Sequence, residues 1–152
     1  MFASQIWNTD IDYVIYDIEK VQNEFLRYLA YKSNINFNYF YHDYTNIRVR
    51  FKILTWKSAR LQAELILIHK LLKNNNNSCE LLGKLNFCVP ARRIRYRKNI
   101  IFFVPIKFIK SNNESTIYRR CTDANHYNEH IDFFTITQKR LKYNLRELLL
   151  HT

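Results

Sequence analysis

One glycine, Gly83, is all that 152 residues contain. That excludes a Gly-rich phosphate loop or dinucleotide fingerprint, both of which need several glycines where backbone must approach a ligand. Only two prolines, Pro90 and Pro105, accompany it, so a turn-rich β-sandwich is also disfavoured. Three cysteines, Cys79, Cys88 and Cys121, are odd in number and widely spaced. They read as reduced thiols of an intracellular protein, nuclear or cytoplasmic, rather than as a disulfide framework. No apolar run reaches the roughly 18 residues of a membrane span. The best, Ile100 to Ile106, is interrupted by Pro105. The opening Met1-Phe2-Ala3-Ser4-Gln5 lacks the positive region and apolar stretch of a secretory signal, so no membrane partner is expected.

Catalytic signatures are missing as well. The chain has no Asp-Asp dipeptide, no His-Glu-x-x-His and no Gly-x-Ser-x-Gly. Two-metal phosphoryl transfer, zinc hydrolysis and serine acyl transfer each depend on such a grouping. Asp10 and Asp12 stand two apart, but they precede a helical pattern and read as capping residues. Cys121, His126 and His130 have spacings of five and four positions along a helical stretch. Without a Cys-x-x-Cys partner they read as a polar helix surface before they read as zinc ligands. Nothing in the spacing of Cys79 and the histidines supports a nucleophile pair. The expectation is a protein that is not an enzyme and needs no cofactor or metal.

Acids are scarce. Thirteen Asp and Glu face 24 Lys and Arg, for a net charge of +11 and a pI near 9.7. The shortage is not uniform: the segment through Tyr31 is net −3, leaving +14 for the remainder. Arg92, Arg93, Arg95, Arg97 and Lys98 crowd into seven residues with no acid among them. Guanidinium groups form paired hydrogen bonds to phosphate and keep their charge, so these five are the first candidates for nucleic-acid contact. Arg48, Arg50 and Lys52 are the second group. A solvated basic surface, or coding bias toward Asn, Lys, Ile, Tyr and Phe, would give the same composition. Aromatics reach 16%, with Tyr39, Tyr41 and Tyr44 near the second basic group and Tyr96 within the first. Stacking on bases is one use for them and ordinary packing another.

Hydrophobic spacing predicts a mainly α-helical protein, a small helical bundle in one domain over residues 1–152, with a short extended or hairpin segment around residues 87–109. Ile15, Ile18, Val21, Gln22, Phe25, Leu26 and Leu29 recur at three and four. An Asn- and aromatic-rich connector over 34–44 leads to a short helix from Thr45 to about Leu54. Thr55 is placed to cap the longest helix, Trp56 to Leu72, with Lys57, Arg60 and Glu64 on its outside and an apolar second half. Asn74 to Asn77 reads as a loop, and Ser78 as the cap of a short helix through Leu85. Another helix begins at Asn113 or Ser115. Thr135-Ile136-Thr137-Gln138 fits a capping box before a terminal helix faced by Leu141, Leu145, Leu148 and Leu149.

Several of these segments, in order, resemble the region downstream of the polymerase core in insect LINE-type (non-LTR, Jockey-like) retrotransposon reverse transcriptases. Phe2-Ala3-Ser4-Gln5-Ile6-Trp7-Asn8 looks like the family's Tyr-Ala-Ser-x-x-Trp-x-Pro segment without its proline. Ile18-Glu19-Lys20-Val21-Gln22-Asn23-Glu24-Phe25-Leu26-Arg27 is similar to its Ile-Glu-x-Val-Gln-x-x-Phe-Leu-Arg helix, the most specific of the motifs. His69-Lys70-Leu71-Leu72 stands where Tyr-Lys-Leu-Leu is common, and Leu85-Asn86-Phe87-Cys88-Val89-Pro90 resembles Ile-Asn-Phe-x-Val-Pro, followed by Arg92 and Arg95. Pro105, Ser115, Ile117, Arg119, Cys121 and Asn125 remain in register, while Phe108-Ile109-Lys110-Ser111 and Thr116 depart from the family's pattern. The resemblance implies a thumb-proximal helical piece, without palm or fingers, that helps hold template and primer. It implies RNA or DNA backbone as a low-specificity partner. It also implies that the 15–29 helix would normally pack on the palm, which leaves it open to a protein partner and exposes apolar surface. Two other readings stay open: a host-retained interaction module using Ile15 to Leu29, and an inert remnant of a truncated insertion.

Overall fold

A computed structural model of the chain describes residues 12–35, 43–73, 79–88, 100–105 and 116–150. These residues are mainly helical: α1 (Asp12–Lys32), α2 (Thr45–Phe51), α3 (Trp56–Leu72), α4 (Cys79–Gly83), α5 (Thr116–Tyr127) and α6 (Gln138–Leu150). Among the described residues the β-structure is one antiparallel bridge, Phe87 with Phe102. That pairing lies in the segment whose β-branched and aromatic content predicts extended chain. The chain forms two compact units, residues 1–63 with 145–152, and residues 64–144.

In the first unit the narrow apolar stripe of α1 meets α2. Leu26, Ala30, Tyr44 and Ile47 are buried, and Leu29, Phe51 and Ile53 pack against them. Burying side chains such as Leu26 and Ile47 contributes about 1.5–3 kcal/mol each. Polar ties fix the register between the helices. Gln22 Nε2 donates to the Leu54 carbonyl at 2.7 Å, and Arg27 Nη2 donates to the Tyr44 hydroxyl at 3.1 Å. Near the last turns of α6, Arg146 Nε donates to the Lys52 carbonyl at 3.1 Å and Glu147 lies 3.5 Å from Lys52 Nζ. Leu145 and Leu149 are buried there.

Both α1 and α2 end in the same way. Asn34 N–H reaches the Tyr31 carbonyl and Ile35 N–H the Ala30 carbonyl; Lys52 and Ile53 repeat this on Val49 and Arg48. These paired bonds are Schellman caps, which need a left-handed residue just past the helix. Asn34 at φ 48° and Lys52 at φ 53° supply it. The α1 stripe is narrower than the sequence spacing suggests. Val21 and Phe25, read as part of the apolar face, are 71% and 52% exposed. At 100° per residue they fall at the margin of the line through Ile18, Gln22, Leu26 and Leu29.

Thr55 caps α3 as expected: its Oγ1 accepts the Ser58 N–H at 3.0 Å, and its carbonyl accepts Ala59 N–H at 2.9 Å. In the second unit, Leu65, Ile68 and Leu71 are buried. Glu64, assigned to the outside by its charge, is instead buried, with Arg119 Nη2 3.4 Å away. Burial pushes the neighbouring Arg120 guanidinium below its ordinary pKa, and Glu64 acts against that. His69 is also buried, and its Nε2 lies 2.9 Å from the Ile136 carbonyl; Lys73 Nζ donates to the Phe134 carbonyl. These bonds hold the turn before α6. There Asp132 accepts the Phe134 N–H at 2.9 Å and the Thr135 hydroxyl at 2.8 Å. Thr135 is thus engaged in the turn rather than in a capping box. Thr137 accepts the first helical bond of α6, from Leu141 N–H. The Asn74–Asn77 run, Ser78, Asn113 and Ser115 lie outside the described residues.

Candidate nucleic-acid interface

Arg92, Arg93, Arg95, Arg97 and Lys98 lie outside the described residues, as do Tyr39, Tyr41 and Tyr96. The nearest described segments on either side of the basic cluster, 79–88 and 100–105, pair with each other. Cys88 N–H donates to the Ile101 carbonyl and Phe103 N–H to the Asn86 carbonyl, each at 2.7 Å. The Phe87 and Phe102 rings lie 5.6 Å apart, tilted by 38°. Asn125 of α5 clamps this pairing. Its Oδ1 accepts the N–H groups of Ile101 (3.0 Å) and Phe102 (2.9 Å), while Nδ2 donates to the Phe102 carbonyl (2.8 Å). One side-chain amide therefore satisfies three backbone groups of a buried dipeptide that lacks a continuing sheet. Residues 86–88, before the cationic stretch, and 101–103, after it, are held together as a result.

The second group divides by orientation. Arg48 is half-buried and its Nη2 donates to Asn23 Oδ1 at 2.8 Å. Burial pushes its pKa down, opposed by the charge of Glu19. Arg48 therefore ties α2 to α1. Arg50 is exposed, and so is Lys52, whose carbonyl receives the Arg146 guanidinium. Arg146 thus joins Lys52 across 94 residues of sequence, a partnership no local pattern contains. Lys139, Arg140 and Lys142 are exposed on the first turns of α6. The sequence signal for them was present: they are the polar positions complementary to the leucine stripe. Tyr44 is buried with its hydroxyl on Arg27, so packing is its use.

A cleft of about 430 Å³ in the first unit is lined by Arg48, Asn23, Asp43, Thr45 and apolar residues including Val49 and Leu54. The Asp43 carboxyl is held below its ordinary value by hydrogen bonds from Thr45. Cys121 is buried and its thiol is pushed up to about 11, whereas His126 and His130 are exposed. Those three do not converge. Among the described residues no group of three or more His, Cys, Asp or Glu is placed to hold a metal ion, and no helix is long and apolar enough to cross a membrane. The chain matches no protein-family model, no curated protein and no solved structure.

Proposed function

We propose that this chain is the post-palm, thumb-proximal region of a LINE-type reverse transcriptase, non-catalytic by itself, and that it binds the backbone of RNA or DNA with little sequence preference. The observation that carries the reading is the charge: +11 overall, with Arg92, Arg93, Arg95, Arg97 and Lys98 in one acid-free stretch. The Asn125 clamp on the neighbouring Ile101 and Phe102 supports it, because a tethered stretch loses less entropy on binding than a free one. Backbone contacts of this kind position a protein without specifying sequence. Anisotropy of a labelled RNA–DNA hybrid across a salt series tests it. Binding should weaken with a log–log slope of about 0.9 per phosphate neutralised, and replacing Arg92, Arg93, Arg95 and Arg97 with Ala should reduce that slope by roughly three to four. A folded chain that fails to bind at low salt rejects the proposal.

A second reading has its own observation. The outward side of α1 carries large side chains between half and three-quarters exposed, from Phe25 at 52% to Tyr31 at 75%. Large exposed side chains interspersed with Asp17, Lys20 and Glu24 suit a protein partner.

A further inference from the structure

The exposed positions of α1 follow an order that its buried positions do not require. Tyr13, Tyr16, Lys20, Glu24, Tyr28 and Tyr31 all face outward. Tyr13 and Tyr31 are eighteen residues apart, about five full turns, so both lie on one line along the helix. Lys20 and Glu24 flank that line on opposite sides, two positions before and after residue 22. Tyr16 and Tyr28 do the same, six positions before and after it. Turning the helix end for end about the level of residue 22 therefore exchanges Tyr13 with Tyr31, Tyr16 with Tyr28, and Lys20 with Glu24. Gln22 itself points inward, its amide donating to the Leu54 carbonyl, so a two-fold axis at its level lies beyond the exposed side, between two facing helices and perpendicular to them.

We propose that this face of α1 packs antiparallel on α1 of a second copy of the chain, about a two-fold axis at the level of Gln22. The inference rests on the reading of α1 as a protein-docking face and identifies what docks there. In such an isologous contact each pairing is made twice, once from each copy. Tyr13 stacks near the partner's Tyr31 and Lys20 faces the partner's Glu24, while Tyr16 and Tyr28 line the two edges of the seam. Glu24 already accepts Arg27 Nη1 at 3.1 Å, and a carboxylate with about four lone-pair sites retains room for an ammonium. Parallel pairing would set each charge against its own kind, which suppresses association. Nucleic acid is a poor occupant of this face because Asp17 and Glu24 stand on it. Six large side chains per copy would bury on the order of 1,200 Å² in total, the lower end of specific interfaces, so micromolar self-association is expected.

Sedimentation equilibrium of the full chain, from about 1 to 100 µM, reads the monomer–dimer equilibrium directly. Lys20→Glu alone and Glu24→Lys alone should each weaken association about tenfold, because two attractive contacts become two repulsive ones. Mixing the two variants in equal amounts should restore it, since in the mixed dimer each glutamate of one chain meets a lysine of the other, so both sites are attractive again. Restoration also demonstrates that each variant is folded. A wild-type chain that stays monomeric throughout overturns the proposal, as does a dimer indifferent to both substitutions or a mixture that fails to reassociate. A monomeric chain whose α1 binds some other protein rejects the second copy while leaving the broader docking reading intact.

Discussion

Lys52 occupies a backbone conformation for which glycine is the usual choice, while Gly83 sits in α4, with negative φ. A left-handed non-glycine residue is strained by roughly 1 kcal/mol. Lys52→Gly should therefore stabilise the fold by up to about 1 kcal/mol in urea unfolding, less the weak Lys52–Glu147 pair, and Asn34→Gly should gain less because asparagine tolerates that region. Gly83→Ala, with nothing within 4 Å of the added Cβ, should add about 0.5–1 kcal/mol. The same scarcity explains why helix ends were hard to read: no glycine marks where α1 or α2 stops. Sequence spacing ended α1 at Leu29 and carried the next helix to Leu54, where the caps at Asn34 and Lys52 set other limits. Cys121 offers a second check at this scale. With its thiol pushed up to about 11 by burial, little reactive thiolate exists at pH 8, and access is blocked. Iodoacetamide labelling read by mass spectrometry should modify half-buried Cys88 well before Cys121 in the native chain.

Elements were more legible than single side chains. The three-and-four spacing of α1, the threonine before α3 and the leucine stripe of α6 each carry a periodic or capping signal within one stretch of sequence. Glu64 carries no such signal, because its burial depends on Arg119, 55 residues away. Asn125 is similar: nothing nearby in sequence says that it holds Ile101 and Phe102. Asn125→Ala leaves three buried backbone groups unpartnered, at about 1–3 kcal/mol each if water cannot replace the amide. Hydrogen exchange should then quicken at the amides of Cys88, Ile101 and Phe102 while α3 stays protected. Equal acceleration throughout would show that the clamp supports the whole unit rather than this pairing. Of the basic candidates, Arg48 looked like its neighbours in sequence; only the packing of α2 on α1 distinguishes the inward Arg48 from the exposed Arg50.

At the scale of the molecule, helical class and cationic character were both readable from composition and spacing, since each is a sum over many residues. Acid tests them together. The Asp132 carboxyl is held below its ordinary 3.8 by the Phe134 N–H and the Thr135 hydroxyl. A carboxyl depressed in the folded state contributes stability that is complete above its unfolded value and lost as pH falls through the folded one. Below about pH 4 this contribution should fade, while protonation of the acids leaves the 24 Lys and Arg to repel one another. Thermal melts from pH 7 to 3 should show a steep loss of stability below pH 4, partly restored by salt, with Asp132→Asn flattening the first part of the curve. The division of the chain has a consequence for biosynthesis. Residues 64–144 are contiguous, but the unit begun by residues 1–63 also includes 145–152, whose Arg146 reaches the Lys52 carbonyl. During translation, residues 64–144 follow 1–63 and precede 145–152, so the contiguous unit can close while the earlier segment still waits for the later one, and the unit begun first is completed second.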